Sequence, residues 1–273
     1  MKSLLTRLGH PPSASWLRAA LAVAGGGFAV AQAAPAYSWQ PTNRRFAFVN
    51  ETTHGPATGK FEYEQFQTWL THTSNDHGFD RLDVKHEVEY GLSDRLYSAI
   101  GLAEWHVEDS ASEQATRYDL STAELKYRLE DPRIAFVGLS VQTELGVGPA
   151  GLAWENTLIV DKVVDRWELA YNLEVEAAWT GDKTFEFEEN EGEIVQLLGV
   201  SYEVQPSLFL GGEMVYEIPL PDWKSGERTN LFLGPNLSLH REGWALTATS
   251  LLLLSGGDDE PAFQLRLVFE VDF

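Results

Sequence analysis

The sequence contains no cysteine, two methionines, and 20 Lys and Arg against 41 Asp and Glu in 273 residues. Without cysteine there is no disulfide, no thiolate metal centre and no cysteine nucleophile. The shortage of basic residues leaves a formal charge of −21, which argues against nucleic acid as a partner, because phosphate binding draws on clustered Lys and Arg. Long apolar runs are missing as well. No stretch after the N-terminal region reaches the ~20 uncharged residues that a membrane-spanning helix needs. There is no H-E-x-x-H pattern and no D-x-D-x-D-G loop, and the glycine pairs and triplets (Gly25–Gly27, Gly256–Gly257) do not open a phosphate cradle. Nothing in the sequence asks for a cofactor. What the chain does have is aromatic residues, nine Trp and nine Tyr among them, which suit either a membrane barrel with aromatic girdles or a soluble β-sandwich.

Residues 1–33 read as a secretory signal peptide. Lys2, Arg7 and Arg18 make a basic start, Ala19 to Val30 a short apolar run, and Ala31-Gln32-Ala33 an A-x-A cleavage site. Residues 34–59 are irregular and interrupted by Pro41, Gly55, Pro56 and Gly59. They are expected to form a periplasmic lead-in or partial plug, with room for a short extra strand at 45–50. From residue 60 to 273 strand-length stretches take over.

Twelve strands are expected, at about 60–71, 80–90, 95–107, 118–129, 134–145, 152–161, 166–179, 193–204, 207–218, 229–239, 243–254 and 262–273. Each is near or above the ~9–11 residues of a tilted transmembrane strand. Tight links such as Gly91-Leu92-Ser93-Asp94 alternate with longer polar loops such as Thr180 to Gly192. Short turns at one end and long loops at the other are the build of a transmembrane barrel, and an even strand count puts both chain ends on the short-turn, periplasmic side. The expected fold is therefore all-β, a single antiparallel up-and-down transmembrane β-barrel.

The last strand alternates strictly. Leu265, Leu267, Phe269, Val271 and Phe273 share one face, and Arg266, Glu270 and Asp272 the other. A strand of this kind ending on an aromatic residue resembles the closing strand of Gram-negative outer-membrane barrels. The resemblance implies that those five apolar residues act as an assembly signal, with the barrel-assembly machinery and outer-membrane lipid as partners. Lys60-Phe61-Glu62-Tyr63-Glu64-Gln65 and Glu89-Tyr90-Gly91-Leu92-Ser93-Asp94 further resemble a family of uncharacterised proteobacterial outer-membrane barrel proteins. That resemblance implies the fold and an outer-membrane location, and it brings no activity.

With apolar faces toward lipid, the inner wall carries Glu62, Glu64, Glu87, Glu89, Glu124, Glu144, Glu168, Glu174, Glu176, Glu213 and Glu270, against Lys126, Arg128 and Arg266. A narrow passage so lined would attract cations and small cationic solutes, so a channel or transporter with a cation-favouring lumen is expected, not an enzyme. One alternative is that these charges pair off inside a plugged, purely structural barrel. A lesser one is a lipid hydrolase, because His72-Thr73-Ser74-Asn75 matches the H-x-S-N pattern of outer-membrane phospholipases, with His72 as base for Ser74.

Overall fold

The computed structural model describes residues 45–49, 51–72, 79–110, 114–149, 151–180, 189–224, 228–257 and 260–273. The expected signal peptide and the H-x-S-N serine, Ser74, lie outside them.

Thirteen strands form one sheet: β1 (Phe61–His72), β2 (Phe79–Gly91), β3 (Leu96–Ser110), β4 (Gln114–Tyr118), β5 (Ser121–Glu130), β6 (Gly138–Gly148), β7 (Gly151–Val164), β8 (Trp167–Thr180), β9 (Glu189–Gln205), β10 (Leu208–Pro221), β11 (Asn230–Arg241), β12 (Trp244–Ser255) and β13 (Phe263–Asp272). Each pairs antiparallel with its sequence neighbour, apart from the β4–β5 junction, and β13 pairs with β1. The sheet closes on itself, which is what a strand array in hydrocarbon requires. β4 and β5 are two halves of one stave. Both pair with β3, β4 with its outer part and β5 with its inner part. The barrel thus has the twelve staves expected. The seam ends on the last residue: the Phe273 N–H donates to the Phe61 carbonyl at 3.1 Å, and the Phe61 N–H to the Phe273 carbonyl at 3.3 Å.

The outward face is apolar and rimmed with aromatics. Ile100, Leu125, Val141, Leu145, Leu158 and Leu252 are among the exposed large side chains. At the end where the turns are tight, Phe61 packs on Tyr90 and Trp167 on Tyr202 with tilted rings, their centroids 4.5 and 4.6 Å apart. Both are directly opposed cross-strand pairs. An apolar belt with such a girdle has lipid as its natural solvent.

Two expectations about strands need correction. The strand expected from residue 134 begins at Gly138. Ile134 and Phe136, which continue the alternation, sit instead in the preceding turn and are 86% and 88% exposed. The Asp131 carbonyl accepts from the Ile134 and Ala135 N–H groups, and its carboxylate holds the Arg133 N–H and guanidinium. That local ring of bonds curls the backbone and delays the strand. The second correction concerns 45–50. Residues 45–49 form a bend, not a strand.

Candidate functional site

The bend lies inside the barrel. Arg45, Phe46, Ala47, Phe48 and Val49 are buried, as are Glu51, Thr52, Thr53 and His54. The backbone there is aimed at one point. The N–H groups of Ala47, Phe48 and Val49 all donate to the Glu213 carboxylate of β10, at 2.9, 2.6 and 2.6 Å. Three successive N–H groups converging on one anion make a nest, a geometry that a strand, with its alternating N–H directions, cannot provide. Glu213 also accepts from the Asn236 amide at 3.2 Å and from the Thr249 hydroxyl.

Further polar ties hold the rest of the segment. The Arg45 guanidinium pairs with Glu168 at 2.7 Å and lies 4.2 Å from the centre of the Phe209 ring. Lys126 donates to Glu51. The Asn172 amide, turned to suit its neighbours, donates to the Glu51 carbonyl at 3.0 Å and accepts from its N–H at 3.1 Å. Asp161 accepts from the Thr53 N–H and hydroxyl at 3.1 and 3.0 Å.

Apolar packing adds to these bonds. Phe46, Phe48 and Val49 join Ala170, Leu197, Val215, Phe232 and Leu251 in one buried cluster, while Ala47 packs with Phe66 and Val268. Full burial of a Phe or Val side chain contributes ~1.5–3 kcal/mol, so this cluster is comparable in weight with the Glu213 nest. Gly199 makes room for it: a Cβ there would stand 2.4 Å from the Phe46 ring. The chain then leaves the interior through Gly55-Pro56-Ala57, which separates recesses of about 520 and 470 Å³. It reaches β1 by a turn in which Gly59 has φ +78°.

Of the residues singled out from the sequence, Glu168, Glu213, Lys126 and Arg266 meet the interior segment, Arg266 through the Phe48 ring at 5.5 Å. Glu62, Glu64 and Glu270 come together across β1 and β13, and Glu64, Glu87 and Glu89 across β1 and β2. Glu87, Glu124 and Glu144 form a third group. Lys85 joins the last of these, 3.1 Å from Glu87 and 2.8 Å from Glu144. Glu174 and Glu176 are half-buried on β8, further along the wall toward the long loops. Arg128 does not join them. It reaches the Asp94 carbonyl at the tight-turn rim. In the closing strand, Phe269 and Phe273 are exposed, Leu265, Leu267 and Val271 partly so, and Glu270 is buried. Asn172 falls, as its parity in the sequence indicates, on the polar face with Glu168, Glu174 and Glu176, whereas Asp161, Asn236 and Thr249 went unnoticed in the sequence, although each shares strand parity with an inward residue on its own or a paired strand.

His54 makes the seating of the segment sensitive to pH. Its ring is buried and lies 3.8 Å from Asp161, too far for a hydrogen bond. Burial, followed by the fields of Arg128 and Arg133, lowers its pKa from 6.5 to about 4. The seated segment therefore holds His54 neutral, whereas a released one would let it protonate from about 6.5 downward. The contribution of His54 to seating is complete above pH ~6.5 and is lost as pH falls toward ~4, amounting to at most on the order of 3 kcal/mol. In a Thr52→Cys probe, the thiol labelling rate relative to that of the same thiol in the unfolded chain should rise as pH falls through that window, and His54→Gln should remove most of the change. An identical pH profile in both proteins would exclude His54 as the cause.

The model of a family described as "Family of unknown function (DUF6662)" matches residues 39–266. No match was found among curated proteins. Among solved structures, the fold is similar to the COG4313 outer membrane channel from Pseudomonas putida F1, with TM-score 0.60 and 15% identity over 81% of this chain and 98% of that one. It is also similar to the β domain of the Bordetella autotransporter BrkA (TM-score 0.55, 10% identity, 79% and 100% covered). The translocator domain of the autotransporter NalP from Neisseria meningitidis gives TM-score 0.53 and 13% identity, with 81% and 90% covered. These likenesses are of fold: the chain is a closed barrel of the outer-membrane type.

Proposed function

Since the chain belongs to this family of unknown function, whose description carries no activity, we propose from the chemistry of the interior that it is an outer-membrane channel for cations or small cationic solutes, closed by residues 45–54. One observation carries the reading. Among the described residues, the interior segment is held by side-chain bonds and packing, and apart from a single bridge at Thr58–Gly91 it shares no strand ladder with the wall. It can leave without breaking a ladder, so the barrel does not depend on it for closure. That is the condition for a stopper that moves. The likeness in fold to the Pseudomonas putida outer membrane channel supports the same class.

The preference for cations rests on the carboxylates of the wall beyond the segment, Glu174 and Glu176 with Glu155 and Glu193 beside them. In a partly dehydrated passage such a group favours a cation over an anion by its field alone. The closing-strand residues Leu265 to Phe273 would be read by the barrel-assembly machinery, and the apolar belt would meet lipid.

The test is the reversal potential of reconstituted protein in a salt gradient, measured on the full chain and on a variant lacking 45–57. Cation preference is expected wherever current flows, and Glu174→Gln with Glu176→Gln should reduce it. Anion preference, or no current from either protein, overturns the proposal. The second outcome would favour a structural barrel, a reading that the apolar cluster around Phe46 also suits.

A further inference from the structure

A mixed set of donors stands apart from these carboxylates, on the wall made by β2, β3 and the β4–β5 junction. Asp83, His106 and Asp119 bring one imidazole nitrogen and two carboxylate oxygens within 4.8 Å of one another. Asp83 and His106 are directly opposed on the β2–β3 ladder. His106 is buried, and its Nδ1 lies 2.7 Å from Asp119 Oδ2.

Two breaks in regular structure create the arrangement. The ladder shifts register between His86 and Glu87, where Leu102 of β3 has no partner. The extra residue resets the alternation, so that Glu104 and His106 turn inward; a regular strand continued from Ala99 would have sent both to lipid. The stave is then interrupted at Asp119-Leu120, where the Asp119 N–H donates to the Glu104 carbonyl and the Glu104 N–H to the Leu120 carbonyl, both at 2.8 Å. Bulges recur beside functional sites because they re-aim a side chain.

The donors also have capacity to spare. Arg81 places both of its contacts, 2.8 Å from Nε and 2.6 Å from Nη2, on Oδ1 of Asp83. Oδ2 of Asp83 has no partner among the described residues, and Nε2 of His106, also without one there, is free to carry the ring proton while Nδ1 turns to a ligand. A guanidinium that fixes one oxygen of a carboxylate and leaves the other available is a common way to orient a metal ligand.

We propose that Asp83, His106 and Asp119 bind a divalent transition-metal cation of the zinc type. One imidazole and two carboxylates are a borderline donor set that zinc accepts, with a fourth position left to water. Calcium, which takes six to eight oxygens, is poorly served by it. With metal–ligand bonds of about 2.0–2.2 Å, neighbouring donors stand roughly 3.3 Å apart. The His106–Asp119 contact therefore opens by roughly 0.6 Å as the metal replaces the shared proton. The site does not depend on the barrel being a channel.

The experiment is calorimetric titration of the full-length, detergent-solubilised barrel with Zn²⁺ and, separately, Ca²⁺, repeated with Co²⁺ and read by its visible absorption. One saturable Zn²⁺ site is expected, with Co²⁺ giving the spectrum of a nitrogen-ligated ion. Affinity should fall ~10-fold or more in His106→Ala and in Asp119→Asn, and stay unchanged in Glu174→Gln. Should His106→Ala fail to fold, as judged by circular dichroism, the nearly isosteric Asp119→Asn carries the test. The proposal is overturned by absence of saturable Zn²⁺ binding, by equal affinity in the folded variants, or by an equal loss in Glu174→Gln, which would place the ion on the general acidic wall.

Discussion

Removal of residues 45–57 should raise the conductance of the reconstituted barrel by about an order of magnitude or more. Barrels of eight strands are filled by their own side chains and those of sixteen are open, so a twelve-stave wall has room whose use depends on what lies in it. Here that room holds Phe46, Ala47, Phe48 and Val49, none more than 5% exposed, so no water column runs against them. Deletion leaves every ladder in place, including the seam between β1 and β13. It does expose Leu197, Val215, Phe232 and Leu251 to the lumen. At ~1.5–3 kcal/mol for each fully exposed side chain, the opened barrel should be less heat-stable while still closed. Planar-bilayer recordings of both proteins, together with their melting, provide the check. If the two conduct alike, the segment is not the constriction.

The second large effect is expected at Glu213. Replacing it with Leu leaves the N–H groups of Ala47, Phe48 and Val49 buried without their acceptor, and takes from the Asn236 amide one of its two acceptors and from the Thr249 hydroxyl its partner. An orphaned buried donor costs ~1–3 kcal/mol, part of which relaxation and water recover. A net loss of roughly 3–4 kcal/mol would raise the released population by ~10²–10³-fold, at 1.4 kcal/mol per decade. The chain is well suited to the measurement because it has no cysteine of its own. A single thiol at Thr52→Cys, a buried position and a near-isosteric change, then reports release by its labelling rate. Glu213→Gln, which keeps one acceptor oxygen, should fall between wild type and Leu. Labelling that is slow and equal in all three would mean that the apolar cluster alone seats the segment.

The barrel itself was legible because its determinants are local and periodic. Strand parity, the tight turns and the alternation of Leu265 to Phe273 repeat every two residues or every hairpin, and eleven of the twelve expected staves appear as continuous strands in nearly the expected places. What escaped was set by single bonds. Ile134 and Phe136 keep the apolar alternation and look like strand, yet the bonding of Asp131 to the residues after it holds them in a turn. The stave at 118–129 shows no sequence sign of its break at Asp119-Leu120, which depends on exchange of backbone bonds with Glu104. Residues 45–49 and 51–54 show no periodicity because backbone bonds of Ala47 to Val49, Glu51 and Thr53 go to the side chains of Glu213, Asn172 and Asp161 rather than to a neighbouring strand. Glu213 and Glu174 are alike in sequence, both glutamates on inward faces. Only the fold separates a carboxylate that anchors the segment from one that stands further along the wall.

The interior segment also dictates an order of events. Its firmest partners are far along the chain: Glu213 lies 164–166 residues from the N–H groups it receives, and Asn236 is 191 residues from the Arg45 carbonyl to which it donates. The Glu213 nest, unlike the Arg45–Glu168 pair, therefore cannot form until the last third of the sheet exists. Contacts of such separation form late, because the entropy of closing so long a loop must be met before any of them is gained. The segment comes first among the described residues, and its nest closes last. A barrel that closed ahead of the segment would leave Leu197, Val215, Phe232 and Leu251 facing water in a hollow interior.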